Sequence, residues 1–122
     1  MGYEQTVQKV SIIGDADFST TGQFRFGVIN AGGTIDLASA GERVDGVIMN
    51  NPAANRAVEF GISGIIMVEY GGNVTAGDNV EAGTDGVAVT LSGAPYAAGV
   101  ALETGVSGEI RPILFRPVGA VS

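Results

Sequence analysis

The chain has 122 residues with no histidine and no cysteine, so any chemistry must come from its 13 carboxylates, its 6 Lys and Arg side chains, and neutral hydroxyls and amides. Nucleophilic catalysis that relies on an imidazole base or a thiolate is excluded, as are thiolate metal sites and disulfide stapling. Three acidic groupings remain to be weighed. Asp15 and Asp17 have the i, i+2 spacing of a hard-cation pair, but no glutamate completes an EF-hand loop, and the segment reads as a polar turn. Asp78, Glu81 and Asp85 flank a strand start and an Asp-Gly turn and read as solvated turn carboxylates. Glu59 and Glu69 share one parity of a long strand, ten positions apart. Paired carboxylates cleave glycosides when they face each other at roughly 5–9 Å. A straight strand at ~3.3 Å per residue holds these two about 30 Å apart, so only a sharp reversal at Ser63-Gly64 would bring them together. The glycine-rich stretches at Ala31-Gly32-Gly33-Thr34 and Gly71-Gly72-Asn73 lack the Lys-Ser/Thr and following helix of a phosphate cradle. Asn73-Val74-Thr75 fits a glycosylation acceptor without a secretion signal to use it. The residues therefore name no catalytic side chain, no metal ligand and no cofactor.

The elements that carry these residues read as strands. Glycine makes up 20 of 122 positions, about twice the ordinary ~7% share, and interrupts almost every helical window. Strand signals lie at 6–13, 24–28, 44–49, 57–70, 87–91, 98–102 and 110–115. In 57–70 the even positions (Val58, Phe60, Ile62, Ile66, Val68, Tyr70) are apolar and the odd ones mostly polar, the period of a half-buried strand with a bend or bulge at Ser63-Gly64. Turn chemistry at Ala31-Gly32-Gly33, Gly71-Gly72-Asn73 and Asp85-Gly86 separates the runs. Strands recurring every 8–12 residues predict an all-β fold, a compact small barrel or sandwich of short antiparallel strands. Pro112 lacks an N–H, which predicts an edge strand or an adjacent bulge, either guarding a monomer's edge or marking a subunit boundary. Gly46-Val-Ile-Met-Asn-Asn and Gly99-Val-Ala-Leu-Glu-Thr share a pattern 53 positions apart. A duplicated hairpin unit closing one barrel would explain it, as would chance in a chain rich in Gly and Val. The five phenylalanines are expected in the core, and Tyr3, Tyr70 and Tyr96 at a rim or interface.

Charge narrows the partners. A net charge of −7 with one lysine and five scattered arginines argues against a phosphate-binding surface, and hence against nucleic acid as a partner. No apolar run reaches the ~18 residues of a membrane span, and the N-terminus lacks the basic and apolar regions of a signal peptide, so synthesis in a cytoplasm is expected. The chain divides into an N-terminal arm at 1–10 leading into the first strand, a single β domain at 11–116 and a C-terminal tail at 117–122.

The order of Val7–Ile13, Gly41-Glu-Arg-Val-Asp-Gly-Val-Ile-Met-Asn, Ala57–Gly64, Val74-Thr-Ala-Gly-Asp-Asn-Val and Ala98-Gly-Val-Ala-Leu-Glu-Thr-Gly-Val-Ser-Gly-Glu-Ile-Arg-Pro-Ile-Leu resembles the decoration, or cement, proteins of tailed-phage capsids. Pro112 and the tail at Arg116-Pro117 depart from that pattern. The resemblance implies a virion protein on the capsid exterior that clamps neighbouring major capsid subunits as a homotrimer at local three-fold positions. Contacts with neighbours are expected on the arm (Tyr3, Gln5, Val7), the last strand (Arg111, Pro112) and the tail (Arg116, Pro117), with Arg111 or Arg116 paired to an acid of the next subunit. The alternatives are a carbohydrate- or ligand-binding β module of a phage tail or surface appendage, for which Tyr70 and Tyr96 would have to be exposed and coplanar, and an enzyme using Asp15/Asp17 or Glu59/Glu69.

Overall fold

A computed structural model describes residues 8–14, 17–18, 20–92 and 96–117. Among the described residues nine strands and one 3-10 turn (Thr84–Gly86) form: β1 (Gln8–Ile13), β2 (Arg25–Ile29), β3 (Ile35–Leu37), β4 (Gly46–Ile48), β5 (Ala57–Glu69), β6 (Asn79–Ala82), β7 (Ala88–Thr90), β8 (Gly99–Ala101) and β9 (Ile110–Phe115). All strand pairs are antiparallel, in the order β3-β2-β4-β5-β9-β8-β6-β7, with β1 beside β5. The all-β expectation holds.

The long strand β5 organises everything else. Its first part pairs with β1 and β4, and from Gly64 onward it pairs with β9. Gly64 has φ +106°, a conformation that side-chain-bearing residues rarely adopt, so the bend expected at Ser63-Gly64 lies where the strand passes from one group of partners to the other. The even-numbered residues Val58, Phe60, Ile66, Val68 and Tyr70 are all buried, as the period-two reading requires.

The two halves of the fold are one four-stranded unit used twice. Gly27 pairs with Leu37 and Gly46, and Val80, 53 positions on, pairs with Thr90 and Gly99, each also 53 positions on. Ile48↔Phe60 recurs in the same way as Ala101↔Ile113. The left-handed residues repeat too, Phe24 with Gly77, Gly33 with Gly86, and Asn55 with Gly108. So do turn hydrogen bonds. Phe24 N–H donates to Ile48 O and Gly77 N–H to Ala101 O; Gly33 N–H donates to Asn30 O and Gly86 N–H to Gly83 O. Each half curls until an isolated parallel bridge closes it, Gly14↔Ile35 in the first and Tyr70↔Ala88 in the second. The result is two small barrels that share β5. The repeat expected from the Gly46 and Gly99 segments is therefore structural, but it comprises four strands rather than a hairpin, and it builds two barrels rather than closing one.

Each barrel has its own interior. Ile35, Ile48, Val58 and Phe60 fill the first beneath Phe18, and Val80, Ala82, Ala88, Ala101, Ile113, Ile66, Val68 and Tyr70 belong to the second. The barrels meet where Phe26, Val28 and Val47, on the outer face of the first, join the second barrel's cluster, with the rings of Phe26 and Phe115 6.2 Å apart. Each buried ring of this kind contributes about 1.5–3 kcal/mol relative to exposure.

Three expectations need correction. Pro112 is not on an edge: β9 lies between β5 and β8 without a register shift. The ring is tolerated because β8 stops at Ala101. Pro112 O still accepts from Leu102 N–H at 3.1 Å, and the missing N–H faces the point where that ladder ends. Tyr70 is fully buried, its hydroxyl donating to Glu103 O at 2.7 Å, so it is a core residue rather than a rim residue. Glu81 is not a solvated turn carboxylate but a strand residue that is only 9% exposed.

Candidate interaction surface

The three acidic groupings do not converge on one site. Glu59 accepts from Lys9 Nζ at 3.1 Å, whereas Glu69 accepts from Arg25 Nε and Nη2 at 3.3 Å. β5 runs through Gly64 as one strand without doubling back, so the two carboxylates stay at its opposite ends. Asp15 lies outside the described residues, and Asp17 is exposed. Asp78 Oδ2 accepts from Thr75 N–H at 3.0 Å and from the Thr90 hydroxyl at 3.3 Å, which gives it a turn-capping role. Among the described residues no cluster of three acids could hold a metal ion.

One open cleft of about 230 Å³ lies between the barrels, lined by Phe18, Thr20, Gln23, Phe24, Glu69 and Ile110 among others. Phe24 has φ +67° there, unusual for a bulky residue and a place where strain of order 1–3 kcal/mol is stored. Its backbone is held on both sides, with its N–H donating to Ile48 O at 2.7 Å and its O accepting from Glu69 N–H at 2.8 Å. The other phenylalanines (Phe18, Phe26, Phe60, Phe115) are buried, as expected. The same cleft holds a polar tie between the barrels, because Arg25 Nη1 also donates to Asp85 O at 3.1 Å.

The larger surface feature is the outer wall of the second barrel. Ile66, Val68, Ile113 and Phe115 point inward, so the alternate residues Ile65, Met67, Pro112 and Leu114 point outward, with Ile110 at the end of the row 41% exposed. Ile65, Met67 and Leu114 are half-buried, and Pro112 is buried. The matching wall of the first barrel carries Lys9, Ser11 and Glu59, which are exposed and polar, beside Ile13, which is 45% exposed.

The expected contact residues divide between these places. Tyr3, Gln5 and Val7 lie outside the described residues. Pro112 belongs to the apolar wall. Arg111 is engaged within the chain by Glu103 and Glu109, both at 3.1 Å. Glu109 Oε1 also accepts from Val106 N–H at 2.9 Å; that backbone bond first, and the Arg111 guanidinium second, hold its carboxyl below the usual carboxylate range. Arg116 and Pro117 are exposed just past β9, and no carboxylate among the described residues reaches Arg116 within ion-pairing distance. The wall was missed in the sequence because its residues alternate with core residues in β9, where Ile110-Arg-Pro-Ile-Leu-Phe offers no clean apolar/polar contrast.

No family model matches the sequence, and no curated protein matches it. In fold, the chain is similar to the N base of head fiber gp8.5 from bacteriophage phi29, with a TM-score of 0.75 and 17% identity, over 91% of this chain and 95% of that one.

Proposed function

We propose that this chain is a structural virion protein of a tailed phage, assembling as a homotrimer at local three-fold positions on the capsid exterior and clamping neighbouring major capsid subunits. The observation that carries the reading is the fold shared with a phage head fiber base along nearly the whole of both chains. Two features are consistent with it. The second barrel has Pro112, Leu114, Ile65 and Met67 on a face where the first has Glu59, Ser11 and Lys9, and the carboxylates serve as caps and ion-pair partners rather than converging on a cleft. A clamp needs rigid scaffolding and repeated weak contacts, which add up through multivalency. Binding to the expanded shell alone stabilises that state by mass action. Burial of Tyr70 removes the stacking platform on which a carbohydrate-binding module would have depended. Co-sedimentation of the purified chain with expanded empty shells of the phage that encodes it tests the reading. Saturable binding to expanded shells is expected, and a chain that stays in the supernatant overturns it.

A further inference from the structure

We propose that the outer face of the second barrel, around Asn79, Leu91, Ala97 and Val100, docks the β2–β3 hairpin of a second copy of this chain, head to tail. The inference deepens the self-assembly part of the function above and rests on it. Its source is a contact already made once inside the chain. There the outer face of the first barrel (Phe26, Val28, Val47, with Ala38 and Val44) packs on the β6–β7 hairpin of the second. Gly41 N–H donates to Ala82 O at 2.9 Å across this contact. Gly86, at the hairpin tip, approaches so closely that a Cβ there would lie 2.5 Å from Phe26 O.

Moving both partners by the 53-residue repeat generates a second such pair, with each half on the surface. The face becomes Asn79, Glu81 and Val100, with Leu91 and Ala97 beside them; the hairpin becomes Ile29–Ile35 with Gly33 at its tip. Gly33 has φ +82° against +80° for Gly86, and both tips close on the same bond, Gly33 N–H to Asn30 O and Gly86 N–H to Gly83 O, while Asp85 is left-handed at φ +58° and its counterpart Gly32 is not. Around Gly86 the space is filled by β2, but no atom lies within 4 Å of where a Cβ on Gly32 or Gly33 would stand. Ile29, the counterpart of the buried Ala82, is 39% exposed. On the face, Leu91, Ala97 and Val100 are half-buried. Glu81 replaces Val28 there, and its buried Oε1 has no hydrogen-bond donor among the described residues. The occupant is therefore a second copy of this chain, because its β2–β3 hairpin is the repeat counterpart of the β6–β7 hairpin that this kind of face already accepts. A face on one copy and a hairpin on the next make a heterologous contact, which closes into a ring when the rotation permits; a ring of three copies is the proposed trimer.

The absence of cysteine allows a direct test. A Gly32→Cys chain mixed with a Val100→Cys chain under oxidising conditions is expected to give a disulfide-linked heterodimer well in excess of either homodimer. Gly32→Trp places its ring in open space at a position without left-handed φ, so melting and circular dichroism should match the parent chain. Its mass by light scattering should fall to that of the 12.3 kDa monomer. A Gly32→Trp chain that keeps the parent's multimer mass, or equal homodimer and heterodimer cross-linking, overturns the interface. A parent chain that is monomeric overturns the interface and the trimer together. Multimers blocked by Gly32→Trp that nonetheless ignore phage shells overturn the virion role and leave the interface standing.

Discussion

Glu109 concentrates several effects in one side chain. It accepts from Val106 N–H and from Arg111, and both bonds favour its ionised form, so its folded carboxyl titrates below the ordinary carboxylate range near 4.3. A carboxyl depressed in the folded state contributes stability that is complete above the unfolded value and is lost as pH falls through the folded value. The melting temperature of the parent chain should therefore drop as pH is lowered from about 5 toward 3. Glu109→Gln should melt lower at pH 7 and show a shallower acid decline; an unchanged decline would remove Glu109 from the account. The matched glycines give a second prediction at this scale. In the unassembled chain, held monomeric by Gly32→Trp, Gly33→Ala meets only the left-handed backbone penalty, about 1–2 kcal/mol, because its surroundings are empty. Gly86→Ala meets that penalty and a clash with the Phe26 backbone, so it should cost clearly more in chemical denaturation. Equal losses would contradict the packing of hairpin on face within the chain.

At the scale of elements, β5 is where the fold is most exposed to a single substitution. Phe60 fills the first barrel and is fully buried, so Phe60→Ala should cost about 3–5 kcal/mol by urea denaturation. A cost under about 1 kcal/mol would mean that the ring is not part of the core. The even/odd pattern of β5 was legible because one parity is apolar over the whole strand, and Ser63-Gly64 marked its bend by residue type alone. The short strands were less so. β3 is the three residues Ile35–Leu37, with Asp36 in the middle, and it exists because the turn at 30–34 returns the chain onto β2. In β6, Asn79-Val80-Glu81-Ala82, an acid sits at a buried position and blurs the pattern. Pro112 misled in the other direction. Its missing N–H is harmless where a three-residue neighbour ends, and the length of β8 is set by pairing that local sequence does not encode.

At the scale of the molecule, the repeat was visible only through the Gly46 and Gly99 segments, because the remaining equivalent positions kept their backbone role while changing residue type. Phe24 stands where the second unit has Gly77, Val28 where it has Glu81, and Glu59 where it has Pro112. Register preserves what identity loses, so the duplication becomes plain once the strand pairs are known. The same divergence made the two outer walls different, with Glu59 on the first where Pro112 stands on the second. The N-terminal arm belongs to this scale as well. Removal of residues 1–7 is expected to leave melting unchanged while abolishing co-sedimentation with shells; a truncated chain that binds as well as the parent would exclude the arm from the clamp.

The most direct measurement for the whole account is calorimetry of expanded empty shells with and without the chain. A protein that binds the assembled lattice and not its dissociated subunits raises the lattice's melting temperature, by an amount that grows with its concentration above the dissociation constant. The account predicts such a concentration-dependent rise. A shell transition that stays at the same temperature at saturating chain would contradict it.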